Sequence, residues 1–206
     1  MGPMSTSASP STEEQLHEHR RRLLQAMAAV AEAKGFVGST IADIVREAGV
    51  SKRTFYEHFA SKEDCFLALY LAVSAAALRT LKEAVAPERP WQQQVEQAMA
   101  AYLSHLSLNP GLLKTLFVDI HHLGETGNEA RREVMRQLAD FMVVTVHGHG
   151  PRPGFSDMDR ALAMAAVGGI NELLLQRIEQ GQAQDLTPLT ASASEVVRRL
   201  MRAVSP

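Results

Sequence analysis

Basic and hydroxyl side chains are concentrated at the start of one short segment in the N-terminal third of the chain. Residues 51–59 have the sequence SKRTFYEHF, in which the two phenylalanines are spaced i, i+4 and anchor one helix face in a core. The side chains left on the outward surface are Lys52, Arg53, Thr54 and Tyr56. The positive end of the helix dipole and the free N–H groups of the first turn add to their attraction for phosphate.

The residues just before this segment predict a second short helix and a tight turn. Their apolar face consists of Ile41, Ile44, Val45 and Ala48. Gly49 permits a left-handed turn, and Ser51 is a suitable cap for the helix that follows. Two short helices joined by a glycine-containing turn are typical of a helix-turn-helix, whose second helix enters the major groove of DNA.

The overall charge excludes a uniformly basic nucleic-acid binder, because 21 Lys and Arg stand against 23 Asp and Glu for a net charge of −2. A local basic surface is still compatible with this balance, since binding depends on how charges cluster. The single cysteine, Cys65, excludes an internal disulfide. Its position just inside a predicted helix favours a small buried hydrophobic residue over a redox sensor.

The N-terminal sequence contains no charged region followed by an apolar stretch, so secretion is not indicated. The uncharged run that ends at Leu78 is well short of the ~20 residues of a membrane span. We therefore expect a cytoplasmic protein without membrane contact. Residues 1–12, MGPMSTSASPST, have no apolar period and are expected to form a disordered lead.

Helix-start signals recur along the chain and indicate an all-α fold. Hydroxyl side chains precede an acceptor three residues later, as in Thr40-x-x-Asp43, Thr126-x-x-Glu129 and Ser156-x-x-Asp159. No alternating strand of convincing length lies between these signals. The predicted helices are 13–34, 41–48, 52–59, 62–85, 90–107, 110–122, 127–147, 157–181 and 188–204.

The stretch from Ser39 to Asp64 closely resembles the DNA-binding region of the TetR family of bacterial transcriptional regulators. It contains the pattern T-x-x-x-I-x-x-x-A-G-V-S-x-x-T-x-Y-x-H-F-x-x-K-E. Beyond residue 65 the resemblance is one of architecture, together with a fragment at 168–175. It implies a three-helix helix-turn-helix DNA-binding domain over 13–61 and a helical-bundle domain for ligand binding and dimerisation over 62–206.

The resemblance also implies which side chains contact DNA. Lys52, Arg53 and Thr54 would face base edges, which suits their chemistry: Lys and Arg donate to guanine O6 and N7, and the Thr methyl contacts thymine. The arginines at 20–22 either add phosphate contacts or form a solvated helix face. The remaining residues expected at the DNA interface are Thr40, Arg46, Ser51, Tyr56, His58 and Lys62.

Methionine, leucine and aromatic side chains recur at helical spacing in the predicted fifth to eighth helices. Taken singly they are more often ordinary core, but together they fit an adaptable, largely apolar pocket with few polar anchors. We therefore expect a lipophilic small-molecule effector. The candidate pocket residues are Met99, Tyr102, Leu103, Leu113, Phe117, His121, Leu138, Phe141, Met142, Met164, Val167 and Asn171.

The last two predicted helices are apolar on more than one face, so each needs two packing partners. A symmetry mate supplies the second partner, which predicts a homodimer with a four-helix interface. The candidate interface residues are Leu162, Ala166, Gly169, Leu173, Val196, Leu200 and Val204.

Two classes of function are compatible with these features. The first is a homodimeric repressor that a lipophilic small molecule releases from a palindromic DNA operator. The alternative is a helical enzyme or scaffold that uses the helix-turn-helix for protein contacts. The sequence has no G-x-S-x-G elbow and no His pair at i, i+4, so we predict no catalytic residue, no metal ligand and no cofactor.

Overall fold

The computed structural model describes residues 12–147 and 156–202, most of which are helical. Neither range contains a β-strand, which confirms the all-α fold. The predicted lead, apart from Thr12, lies outside the described residues. The helices are α1 (Thr12–Gly38), α2 (Ile41–Ala48), α3 (Lys52–His58), α4 (Lys62–Glu83), α5 (Trp91–Leu106), α6 (Pro110–Asp119), α7 (Gly124–His147), α8 (Asp157–Glu179) and α9 (Thr190–Arg202), with 3-10 turns at Ile120–Leu123 and Thr187–Leu189.

The helix-turn-helix begins and ends its helices at the residues expected from the sequence. A capping box starts α2: Thr40 Oγ1 accepts from the Asp43 N–H at 3.1 Å, and the Asp43 carboxylate accepts from the Thr40 N–H at 3.3 Å. Gly49 ends α2 in the left-handed conformation, with φ 62°. Ser51 then caps α3 by accepting from the Thr54 N–H at 3.0 Å.

Helix α7 begins earlier than predicted, at Gly124 instead of residue 127, so Thr126 lies inside the helix and is not its cap. The reason is the tight turn before it. Gly124 ends the 3-10 turn with φ 59°, and α7 follows at once. A Cβ atom on Gly127 would lie 2.1 Å from the Ile120 carbonyl oxygen, so the turn packs directly on the first turn of α7.

The chain divides into two compact units after Leu69, inside α4. In the first unit, α1 to α3 and the start of α4 enclose a core whose fully buried side chains include Leu23, Met27, Ile44, Phe55 and Phe66. The second unit holds one continuous apolar core, built from the rest of α4 and from α5 to α9. The division falls later in the chain than the boundary expected between residues 61 and 62.

Two helices, α4 and α8, are long and apolar enough to cross a membrane by length and composition alone. Both also contribute to the helical core, α4 with Ala77 and Leu81 and α8 with Ala163, Ile170 and others. Their apolar character therefore has a structural use in the protein core.

Candidate nucleic-acid interface and ligand cavity

Helix α3 presents a basic surface above a fully buried anchor. Phe55 is completely buried, whereas the Arg53 side chain is 90% exposed and Tyr56 is 57% exposed. Lys52 is also exposed. Arg53 is held only by an exposed ion pair, from its Nε to Glu57 Oε1 at 3.2 Å. Such a pair is weak, so the guanidinium is available to a stronger anionic or hydrogen-bonding partner.

Arg46 extends this surface from α2, with 74% of its side chain exposed. Its guanidinium donates to Asp43 Oδ1 at 2.6 Å, and Lys34 pairs with the same oxygen at 2.8 Å. The hydrogen bonds from Lys34 and Thr40 hold the pKa of Asp43 well below its usual value. An ionised Asp43 therefore ties α1, the α2 cap and Arg46 together.

The turn between α2 and α3 is held in place by Arg22 of α1. Its Nη2 donates to the carbonyl oxygens of Ala48 and Gly49, the second at 3.2 Å. The other two arginines of the run are also engaged: Arg21 pairs with Glu18 at 2.6 Å, and Arg20 lies 4.8 Å from the centre of the Phe59 ring. For these three arginines the sequence left open phosphate contacts or a solvated helix face. It did not predict their contacts within the protein.

Lys62 serves the backbone of its own unit. Its Nζ donates to the Phe36 and Ser39 carbonyl oxygens, both at 3.0 Å, and lies 4.4 Å from the centre of the Phe36 ring. Two of the three ammonium donors are thus in use at the end of α1. The hydroxyl donor of Thr40 is likewise in use, since it bonds Asp43 Oδ2 at 2.8 Å. The third donor of Lys62 has no hydrogen-bond partner among the described residues, and the phosphate contacts of Lys62 and Thr40 stay predictions.

His58 is half-buried. Its Nε2 is buried and has no hydrogen-bond partner among the described residues. Its ring lies edge-on to His19, with 6.4 Å between ring centres. Burial, followed by the nearby His19 and Arg20, lowers the pKa of His58. Its phosphate contact stays a prediction. Close by, Cys65 is completely buried, and burial raises the pKa of its thiol to about 12.

The second unit contains a cavity of about 280 Å³ lined by α4 to α8. A smaller cavity of about 50 Å³ shares three wall residues with it, Tyr102, Leu138 and Asn171. Ten of the twelve predicted pocket residues line one or both: Met99, Tyr102, Leu113, Phe117, His121, Leu138, Phe141, Met142, Val167 and Asn171.

The other two predicted pocket residues, Leu103 and Met164, are not among the lining residues of these cavities. Leu103 is completely buried in the core, and Met164 packs against that core from the side. The periodicity of α5 and α8 places residues on an apolar face, but it does not distinguish core from cavity wall.

The larger cavity has a polar end that sequence reasoning missed. Tyr70, Ser74, Arg131 and Glu172 line it in addition to the expected polar residues. Burial raises the pKa of Tyr70, while Arg131 and a hydrogen bond with Ser74 act in the opposite direction. The signal in the sequence was Arg131, a charged residue near the apolar positions of α7 that line the same cavity.

The predicted dimer residues are divided between two faces. Ala166 is completely buried inside its own unit, together with Ala163, Val167 and Ile170 of α8, so it is unavailable to a partner. Gly169 is exposed, and Leu162, Leu173, Val196 and Leu200 are partly buried. Of the predicted row on α8, Leu162, Gly169 and Leu173 therefore remain available, and Ala166 does not. Val204 lies outside the described residues.

Histidine, cysteine and carboxylate side chains form no group of three suited to a metal ion in the part of the chain that the structure describes. His122 pairs instead with Asp119, with 3.3 Å between Nδ1 and Oδ1.

Residues 23–69 match the family model of the bacterial regulatory proteins, tetR family. These residues include the helix-turn-helix, which is therefore similar to the DNA-binding domain of that family. An uncharacterized HTH-type transcriptional regulator of Bacillus subtilis, YxbF, is 33% identical over 81 residues, which cover 39% of this chain and 21% of that protein. The nucleoid occlusion factor SlmA of Vibrio campbellii is 28% identical over 120 residues, or 58% of this chain and 60% of SlmA.

The chain spans less than two thirds of the length of these relatives. Over most of its length it shares the fold of FadR from Bacillus subtilis, solved in complex with stearoyl-CoA. The TM-score is 0.69 at 19% sequence identity, with 86% of this chain and 96% of FadR covered.

Proposed function

We propose that the chain is a regulator of the TetR family: a cytoplasmic, homodimeric repressor that a lipophilic small molecule releases from a palindromic operator. The observation that carries the proposal is the basic surface of α3, exposed at Arg53 and Lys52 and anchored by the fully buried Phe55. This surface lies within residues 23–69, which match the family model.

In this proposal the first turn of α3 reads bases, and the residues around it hold the backbone. Lys52, Arg53 and Thr54 face base edges in the major groove, with Arg donating to guanine O6 and N7. Tyr56 and Arg46 contact phosphates, which supply sequence-independent affinity. Ser51, Thr40 and Lys62 then act mainly through the geometry of the helix-turn-helix: Ser51 caps α3, the Thr40 hydroxyl bonds Asp43, and two of the three Lys62 donors bond backbone carbonyl oxygens.

The ligand part of the proposal rests on the cavities of the second unit. Most of their wall residues are apolar, as expected for a lipophilic molecule. FadR, which shares the fold, was solved with an acyl-CoA. The cavity is lined by Val73, Ser74 and Ala77 of α4, the helix in which the two units divide. A bound molecule therefore touches the element that connects the two units.

Release requires the ligand to favour the state that does not bind DNA. To lower the DNA-binding state from 99% to 1% of the molecules, the ligand must bind the released state more tightly than the DNA-binding state by about 5.5 kcal/mol. At about 25 cal/mol per Å² of buried apolar surface, a lipophilic molecule supplies this only if its cavity is better formed in the released state.

The test begins with selection of bound fragments from a random pool of duplex DNA. Binding to the selected operator should weaken steeply with salt, as phosphate contacts require. Arg53→Ala should cost about 1–3 kcal/mol and relax the preference at one operator position. Arg136→Ala is the matched control, since Arg136 is also an exposed arginine paired with a neighbouring glutamate, but in the second unit.

Unchanged relative affinities of Arg53→Ala for all operator variants would remove the base-reading role. Absence of salt-dependent binding to any duplex would favour the alternative, in which the helix-turn-helix contacts protein. By linkage, saturating operator must weaken ligand binding by the factor with which the ligand weakens operator binding. Operator binding that no cavity ligand affects would leave a DNA-binding protein without the proposed release.

A further inference from the structure

Arg131 places a permanent positive charge in the wall of the 280 Å³ cavity. Its Nε is buried without a hydrogen-bond partner among the described residues. Its Nη1 is 3.0 Å from Met135 Sδ, and a thioether sulfur is only a weak acceptor. Arg131 is half-buried, and a guanidinium whose buried Nε has no partner is favoured by an anion that joins it.

The protein itself offers Arg131 no carboxylate among the residues that the structure describes, since none of their ion pairs includes it. Glu172 lines the same cavity, but its side chain is exposed and within hydrogen-bond reach of Gln176. Tyr70 and Ser74 lie in the same wall and bring two hydroxyl groups to the polar end. The charge is therefore positioned for an anion that comes from outside the chain.

The rest of the cavity is shaped for an apolar chain. Its remaining wall is mostly leucine, valine, phenylalanine and methionine, and the smaller cavity of about 50 Å³ continues beyond Tyr102, Leu138 and Asn171. A volume of about 280 Å³ lies near the ~300 Å³ lower end of small-molecule pockets, so the cavity suits a chain of medium length.

We propose that this site binds a monocarboxylic acid with a single apolar chain of medium length, whose carboxylate pairs with Arg131. The proposal rests on the proposed function and names the class of its effector. Arginine suits this partner because its planar fork bonds a carboxylate bidentately. The apolar chain then follows the wall toward the smaller cavity.

The experiment is calorimetric titration of the full chain with straight-chain acids of four to sixteen carbons, each below its micelle concentration. Affinity should rise about fourfold per methylene while the cavity fills, and stop rising before sixteen carbons. Two further arms identify the head group: the 1-alkanol of the same length, and the coenzyme A thioester of the best acid. The acid should bind at least tenfold more tightly than either.

Variants at Arg131 separate its charge from its packing. Arg131→Gln should weaken acid binding by about tenfold to a hundredfold and leave alkanol binding unchanged, while Arg131→Lys should retain part of the preference. Arg132→Gln is the control, because Arg132 is the adjacent residue but is exposed and paired with Glu125 at 2.6 Å. Without ligand, Arg131→Gln should unfold at no lower urea concentration than the parent chain, since it removes a half-buried charge whose Nε has no partner among the described residues.

Equal affinity for acid and alkanol, or an acid preference that survives in Arg131→Gln, would overturn the assignment. Tighter binding of the thioester than of the free acid would do the same, as would affinity that keeps rising to sixteen carbons. If no acid binds but another lipophilic compound releases the operator, this inference fails and the proposed function stands. If acids bind as expected but the chain binds no duplex DNA, the proposed function fails and the acid site remains.

Discussion

Arg22 and Gly49, 27 residues apart in sequence, meet at the turn of the helix-turn-helix: Arg22 Nη2 donates to the Gly49 carbonyl oxygen at 3.2 Å. A Cβ atom on Gly49 would lie 2.7 Å from the same nitrogen, and the φ of Gly49 is +62°. The glycine is therefore required twice, once for its backbone conformation and once for the space that the guanidinium occupies. This contact fixes where α3 begins relative to α1.

Gly49→Ala should destabilise the first unit by more than the about 1–2 kcal/mol of a left-handed alanine, because Arg22 must also move. Gly38→Ala is the matched control: its Cβ would lie at an ordinary 3.6 Å from Lys34 Cβ, so its stability should change little. Urea unfolding followed by circular dichroism measures both. Equal stabilities for the two variants would mean that neither the backbone nor the guanidinium constrains this turn.

Lys62 is predicted to act on DNA binding through structure and not through charge. Lys62→Met keeps the apolar stem but removes the donors to Phe36 and Ser39, which should lower the free energy of unfolding by about 1–3 kcal/mol. The salt dependence of operator binding should stay the same, because no phosphate contact is lost. Titrations over a range of salt concentrations measure the slope, and urea unfolding measures the stability.

If Lys62 binds a phosphate instead, Lys62→Met should lower the salt slope of operator binding by about one and leave the stability unchanged. That result would contradict the prediction. Lys52→Met is the comparison variant, since Lys52 is exposed on α3 and in the proposal faces the DNA directly. It should weaken binding without lowering stability.

The contrast between Lys52 and Lys62 shows what the sequence could and could not predict. The helix-turn-helix was predictable because its determinants are local: Thr40 caps α2 through Asp43, and Gly49 ends it. The partners of Lys62 and Arg22 lie 23 to 27 residues away, so no helical spacing identifies them. The family motif therefore assigns Lys62 a phosphate contact without showing that its ammonium group also bonds the backbone.

The second unit shows the same limit for periodic patterns. The apolar rows of α8 predicted correctly that the helix has more than one packing face. They did not show which row faces inward, and Ala166 proved to be fully buried. Arg131 was overlooked because a single charge in an amphipathic pattern is usually solvated, and only the three-dimensional structure places it in a cavity wall.

His58 should make folding stability fall as pH drops below about 6.5, its ordinary pKa. Burial lowers the pKa of His58 in the folded protein, with smaller contributions from His19 and Arg20, while Glu57 opposes them. Between the pKa of His58 in the folded protein and its ordinary pKa, the unfolded chain binds a proton that the folded chain does not. The contribution of the neutral His58 to stability is therefore complete above pH 6.5 and is lost as the pH falls below it.

The measurement is the urea midpoint from pH 7.5 to 5, for the parent chain and for His58→Gln. The variant should show a flatter dependence over this range, since it removes the group responsible. A His58 resonance that titrates above 6.5 in the folded protein would reverse the sign and contradict the prediction.

Gly169→Glu should separate the proposed dimer into folded monomers. Gly169 is exposed on α8, and a Cβ atom there would meet nothing within 4 Å, so the protomer has room for the side chain. Glutamate is also a better helix former than glycine, which protects the stability of the helix. In a two-fold interface along α8 and α9, however, the substitution brings two carboxylates into an apolar contact, where unpaired charge is strongly unfavourable.

Size-exclusion chromatography with light scattering should therefore give the mass of one chain for Gly169→Glu and of two chains for the parent. Circular dichroism should give the same helical content for both. Val118→Glu, at an apolar position 44% exposed on α6, introduces the same charge elsewhere and should remain dimeric. Leu173→Glu should also dissociate, but Leu173 packs partly on its own core, so only Gly169 tests the interface without disturbing the protomer. A parent chain that is monomeric at micromolar concentration, or a Gly169→Glu dimer as tight as the parent, would place the interface on another surface.

The Gly169→Glu monomer should also lose most of its operator affinity, because two half-sites on one operator need two linked α3 helices. The salt dependence of its remaining binding should be that of one α3 helix on one half-site.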